Sequence, residues 1–158
     1  MRIHSPSALK KALCGKRILV DTNIIIYLTD GVQPFFDLSR QLFQMIEKGD
    51  ISAVFSIVSI AEVTQGPLRR GLVQNALEAK TYLLNFPNST CQDVTAEVID
   101  KIGKDQRVEW AKLRTIDALI VSSGLVNNVE QMVSNDAHFQ SALPENLLLS
   151  FSHPREKS

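Results

Sequence analysis

The sequence predicts an α/β fold: a mostly parallel central sheet of four or five strands with helices on both faces. Three observations carry the prediction. Short runs of Val, Ile and Leu alternate along the chain with longer stretches of helical periodicity, the pattern of successive β-α-β units. The runs are continuously apolar, as strands covered on both faces are, whereas a strand with one wet face alternates. Four acidic residues, Asp21, Glu62, Asp117 and Asp136, stand among apolar neighbours at strand ends or in the first turns of helices.

The elements follow in order. Ser5 as cap, Pro6 in the first turn and Gly15 just past the end mark a short helix, packed by Leu9 and Leu13, within an N-terminal extension over residues 1–17. The extension holds five bases (Arg2, Lys10, Lys11, Lys16 and Arg17) and no acid, and reads as a solvated face. Residues 18–21 form a buried strand, and Asn23 is placed to cap a helix reaching Leu28, which Gly31 ends. Pro34 starts a second helix. Its Phe35, Leu38, Leu42, Met45 and Ile46 recur at helical spacing, and Gly49 closes it. Residues 51–55 are a second strand, leading through residues 56–59 into a helix that bears Glu62. Leu72, Val73, Ala76, Leu77, Ala79 and Leu83 mark another helix, ended before Pro87. A third strand is expected over residues 91–94, helices over 96–102 and 115–126, a fourth strand over 131–133 and a fifth over 147–151. The main domain thus spans residues 18–151, and residues 152–158 read as a flexible tail.

At 158 residues the chain suits one domain with a full core, and its 44% hydrophobic and 22% charged content places it among soluble globular proteins. Cys14 and Cys91 belong to no CxxC or Cys/His cluster, which argues against a zinc site or a disulfide framework and points to the cytoplasm. No stretch is long and apolar enough for a bilayer, and the N-terminus lacks the apolar core of a secretory signal.

Carboxylates among apolar residues are costly unless their charge is compensated, and a hard divalent cation is the usual compensation. In an open parallel sheet ligands collect beyond the carboxyl ends of the strands, where strand order reverses. Asp21 closes one strand and Asp136 follows another by three residues, so pairing of these strands would bring all four acids to one cleft. An all-oxygen donor set without His or Cys suits Mg²⁺ or Mn²⁺ and disfavours zinc. Such a site activates water and stabilises charge at a phosphate, so phosphodiester hydrolysis is the reaction this inventory supports best. The formal net charge is zero, yet with four of the 17 acids set aside as ligands, bases exceed acids by four. A cation-loaded protein would therefore tolerate a phosphate backbone.

The run Leu19, Val20, Asp21, Thr22, Asn23 resembles the opening motif of a PIN domain, most closely that of the bacterial VapC-type toxins. Glu62 in Ser-Ile-Ala-Glu-Val, Asp117 in Thr-Ile-Asp-Ala-Leu-Ile and Asp136 in Val-Ser-Asn-Asp-Ala-His-Phe extend the resemblance over residues 18–150. Each motif is weak alone, and together they are specific. The resemblance implies a three-layer α/β/α sandwich and a Mg²⁺- or Mn²⁺-dependent endoribonuclease. For toxin members it also implies a homodimer silenced by a cognate antitoxin protein. It makes Asp21, Glu62, Asp117 and Asp136 the metal ligands and catalytic acids, with Ser134 orienting a ligand or water and Asn23 steadying the first acid. The chain departs from compact toxins in the residues that precede the first strand.

Other residues admit two readings each. Arg114 either meets an RNA phosphate or is an exposed arginine at a helix start. Thr22 and Thr115 either donate hydroxyls or cap helices, and capping is the preferred reading. His138 reads as solvated and is left outside the site. The apolar positions around 35–46 and 68–84 are candidate dimer surfaces. The alternative function is a PIN-like module that binds RNA or protein without cutting. The mutual repulsion of four intact acids argues against it, because a scaffold has no use for that cost. A phosphatase or receiver on the same topology is disfavoured, because Asn23 stands where the former needs a second Asp.

Overall fold

The computed structural model describes residues 1–153, so most of the expected tail lies outside the described residues. Six parallel strands form the sheet: β1 (Arg2–Ile3), β2 (Arg17–Val20), β3 (Ser52–Ser56), β4 (Ser89–Gln92), β5 (Gln131–Val133) and β6 (Leu148–Phe151). Their spatial order is β1-β6-β5-β2-β3-β4. The connections carry helices α1 (Pro6–Leu13), α2 (Thr22–Thr29), α3 (Phe36–Lys48), α4 (Ile57–Arg69), α5 (Val73–Leu84), α6 (Ala96–Lys101), α7 (Thr115–Val126) and α8 (Ala137–Ala142), with a 3-10 turn at Trp110–Lys112.

Period-two geometry sends alternate strand residues to opposite faces. Ile18, Val20, Ala53, Phe55, Val133 and Leu149 join one core with residues of α1 to α5. Leu19, Val54, Met132 and Leu148 join a second core with residues of α7 and α8. The continuous apolar runs of the sequence thus face two helical layers, and the three-layer sandwich is the result. Gly124 lets α7 press on its face of the sheet: a Cβ there would stand 3.1 Å from side-chain carbons of Leu19, Met132 and Val129.

Several expectations need correction. The sheet has six strands where four or five were expected. The sixth, β1, is two residues long and pairs only with β6 (Ile3 opposite Phe151), leaving no local pattern to read. The strand expected at 91–94 sits at Ser89–Gln92, because its partner β3 fixes the register with Ala53 opposite Ser89. Neither α8 nor the 3-10 turn was foreseen. The cap of α2 is Asp21 and that of α7 is Arg114, so Asn23, Thr22 and Thr115 cap neither helix. The apolar positions Leu38, Leu42, Met45 and Ile46 of α3 are buried in the protein's own core and offer no dimer surface. Leu9 and Leu13 of α1 are fully buried in that same core. Among the described residues no helix is long and apolar enough to cross a membrane.

Candidate metal centre

Strand β2 is the point where strand order reverses, since the chain leaves it toward β3 on one side and returns to β5 on the other. The cleft lies at its carboxyl end. Its lining is Asp21, Thr22, Asn23, Ile26, Glu62, Arg114, Asp117 and Asp136, around a cavity of about 180 Å³. All four acids marked in the sequence therefore line one cleft.

Asp21 lies deepest, 4% exposed. It caps α2, its Oδ1 accepting from the Thr22 backbone N–H at 2.8 Å. Its Oδ2 accepts from the Ser134 hydroxyl at 2.6 Å and from the Asn23 amide at 3.4 Å. Burial pushes its carboxyl up from the ordinary 3.8 to about 6; these hydrogen bonds oppose the rise, and the charges of Asp136 and Asp117 add to it. The group is a carboxylate held in place against its own desolvation.

Asp136 caps α8 through Oδ1, which accepts from the His138 N–H at 2.7 Å. Its own N–H donates to Ser134 Oγ at 3.0 Å. One hydroxyl thus ties the first acid to the fourth, and burial of Ser134 leaves water no access to that link. Asn23 braces the same turn, its Oδ1 accepting from the Asn135 N–H at 3.2 Å. The turn is fixed from behind as well: the Ser150 hydroxyl donates to the Ser134 carbonyl, and the Phe151 N–H donates to Asn135 Oδ1.

Asp117 stands in the first turn of α7, 3% exposed, and Arg114 forks onto it. Nε donates to Oδ2 at 2.8 Å and Nη2 to Oδ1 at 3.1 Å, while Nη2 also lies 3.7 Å from Asp136 Oδ2. Glu62, on α4, is exposed at the rim, unlike the deep position its apolar sequence neighbours suggested. Thr22 fixes it, its hydroxyl donating to Glu62 Oε1 at 2.7 Å, with Ser59 Oγ 3.0 Å from the same hydroxyl. This is the work Thr22 does in place of capping.

The donor set is all-oxygen, anionic, and balanced within the described ion pairs by one guanidinium. That chemistry fits a hard divalent ion held by Asp21, Asp117, Asp136 and Glu62. His138 also stands close: its ring and the carboxylates of Asp117 and Asp136 each offer an atom within 4.8 Å of the others. Sequence reading set His138 aside, preferred a capping role for Thr22 and missed Ser59, because a hydroxyl one helix away leaves no motif.

The PIN domain family model matches residues 18–142. The chain belongs to the PIN domain family. Solved structures repeat the PIN architecture at low identity. VapBC2 from Rickettsia felis, bound to a fragment of its promoter DNA, has a TM-score of 0.60 at 18% identity, covering 85% of this chain and 98% of that one. DNA-bound VapBC from Salmonella typhimurium gives 0.63 at 14%, covering 86% and 98%. The sarcin–ricin loop cleaving toxin VapC20 from Mycobacterium tuberculosis gives 0.59 at 16%, covering 78% and 93%. No curated protein matches the sequence. The expected PIN fold is therefore present, and its neighbours are structures of VapC toxins and VapBC complexes.

Proposed function

We propose that the protein is a Mg²⁺- or Mn²⁺-dependent endoribonuclease that hydrolyses RNA phosphodiester bonds. The observation that carries this reading is the meeting of four carboxylates from four separate elements in one cleft of a PIN domain. Asp21, Asp117, Asp136 and Glu62 would hold the ion, which would supply Lewis acidity for water activation and charge neutralisation at the phosphate. Ser134 and Asn23 keep Asp21 in its rotamer, so its oxygens face the cleft without reorganisation. Thr22 holds Glu62 at the rim, on the side open to substrate. Arg114, whose side chain is 62% exposed and which stays charged at every working pH, meets an RNA phosphate.

The neighbours extend the reading. One is a toxin that cleaves the sarcin–ricin loop, which supports RNA as substrate. Others are VapBC complexes, which supports a cognate antitoxin as partner and a toxin–antitoxin role. We place a homodimer contact on α4, α5 and the turn between them, where Leu68, Leu72, Val73, Leu77, Tyr82 and Leu84 are exposed.

The test is incubation of purified protein with mixed RNA in Mn²⁺ or in EDTA, beside Asp21→Asn and Asp117→Asn. Cleavage that needs Mn²⁺ and disappears in both variants is expected. Cleavage that persists in EDTA overturns the proposal, and RNA bound but left uncut in Mn²⁺ would favour a binding module.

A further inference from the structure

Among the described residues, Arg114 is the base that forms ion pairs with two of the four acids, Asp117 and Asp136. Its side chain is 62% exposed, yet it bends over the lip of the cleft onto Asp117, whose side chain is 5% exposed. Holding an exposed arginine in one rotamer costs side-chain entropy that an isolated surface ion pair barely repays. This one makes two charge-assisted hydrogen bonds, one to each oxygen of Asp117, and sets Nη2 between Asp117 and Asp136. Asp117 and Asp136 are two of the acids that would hold a divalent ion, so guanidinium and ion would draw on the same carboxylates.

We propose that Arg114 is a built-in competitor of the metal: its guanidinium serves as counter-ion to Asp117 and Asp136 until metal loading displaces it toward the substrate side of the cleft. The inference rests on the metal-binding reading above. A guanidinium and a divalent ion on the same carboxylates repel across a few ångströms, so occupancy by one weakens the other. The arrangement has two effects. In the metal-free protein it relieves the repulsion of acids that would otherwise be uncompensated. On loading, it frees a cation beside the site, at the moment an RNA phosphate becomes useful to bind. Arg114 acts here as a positioning residue, and its signature is opposite effects on metal affinity and on substrate handling.

Isothermal titration with Mn²⁺ on wild type, Arg114→Gln and Arg114→Lys reads the first effect. Arg114→Gln should bind Mn²⁺ about tenfold more tightly than wild type, within the range typical of two ligands coupled through one protein. Arg114→Lys should fall between them, because it keeps the charge and loses the fork. The exposed side chain makes loss of folding from either change implausible, and circular dichroism checks it. Nuclear magnetic resonance supplies a readout independent of affinity. Addition of Mg²⁺ to wild type should move the Arg114 Nε–H signal, assigned by its absence in Arg114→Gln, toward the position of a solvent-exposed arginine. Equal or weaker Mn²⁺ binding in Arg114→Gln, or an Nε–H signal that Mg²⁺ leaves in place, overturns the proposal. Wild type that binds Mn²⁺ and loses it in Asp21→Asn, with Arg114→Gln unchanged from wild type, sinks the competition alone. Failure of wild type to bind Mn²⁺ sinks the metal reading with it.

Discussion

Asp21→Asn in the metal-free protein should stabilise the fold at neutral pH while abolishing the site. The carboxyl of Asp21 is raised from 3.8 to about 6. A raised acid is favoured in its protonated form by the folded state, so its penalty is absent below about pH 3.8, grows between the two values and is complete above about pH 6. At about pH 7.5 the penalty amounts to about 3 kcal/mol, and at about pH 4.5 to about 1 kcal/mol. Asparagine keeps the volume and still accepts from the Thr22 N–H, but the Ser134 hydroxyl must turn to accept from the new amide, at a loss of about 1 kcal/mol. The variant should therefore gain about 2 kcal/mol at about pH 7.5, a rise in Tm of roughly 4–8 °C for a chain of this size. Near pH 4.5 the advantage should vanish. Urea unfolding in EDTA at the two pH values measures both numbers, and saturating Mn²⁺ should reverse the neutral-pH order by stabilising wild type alone. A variant less stable than wild type in EDTA at neutral pH, or an offset that ignores pH, would refute the reasoning.

Ser134→Ala removes the donor to Asp21 and the acceptor of the Asp136 N–H, so it should cost about 1–3 kcal/mol in urea unfolding. It should also weaken Mn²⁺ binding by about tenfold or more in calorimetric titration, as loss of a ligand's support does. Leu13→Ala, in the fully buried face of α1, should cost about 3 kcal/mol, showing by denaturation that the first residues belong to the main core. Gly124→Val should lower stability by about 1–3 kcal/mol in a thermal scan, since even a Cβ alone would stand 3.1 Å from three side-chain carbons.

The four acids were legible because strand ends and helix starts leave local patterns, and because the parallel topology that unites them follows from those patterns. The exact placement of α7 and β5 was legible for the same reason: residues 115–126 and 131–133 are long or apolar enough to leave no rival assignment. What escaped depends on distance in sequence. Strand β1 exists because β6, some 145 residues on, offers it backbone partners. The Thr22–Glu62 bond joins two helices that no local motif links. Arg114 was recognised as near the site, but its fork onto Asp117 is a rotamer choice, set by the unbalanced charge around it. Glu62 was read as deep from Ile60 and Val63, which do bury, while the helical turn carries Glu62 itself outward.

The turn that carries Ser134 and Asp136 is locked by Ser150 and Phe151, which come late in the chain. A nascent polypeptide on the ribosome displays Asp21 and Glu62 long before those locking residues have been translated, and emerges at only about 5–20 residues per second. Throughout that interval the acids exist without their geometry, beside the very RNA of the machine that makes them.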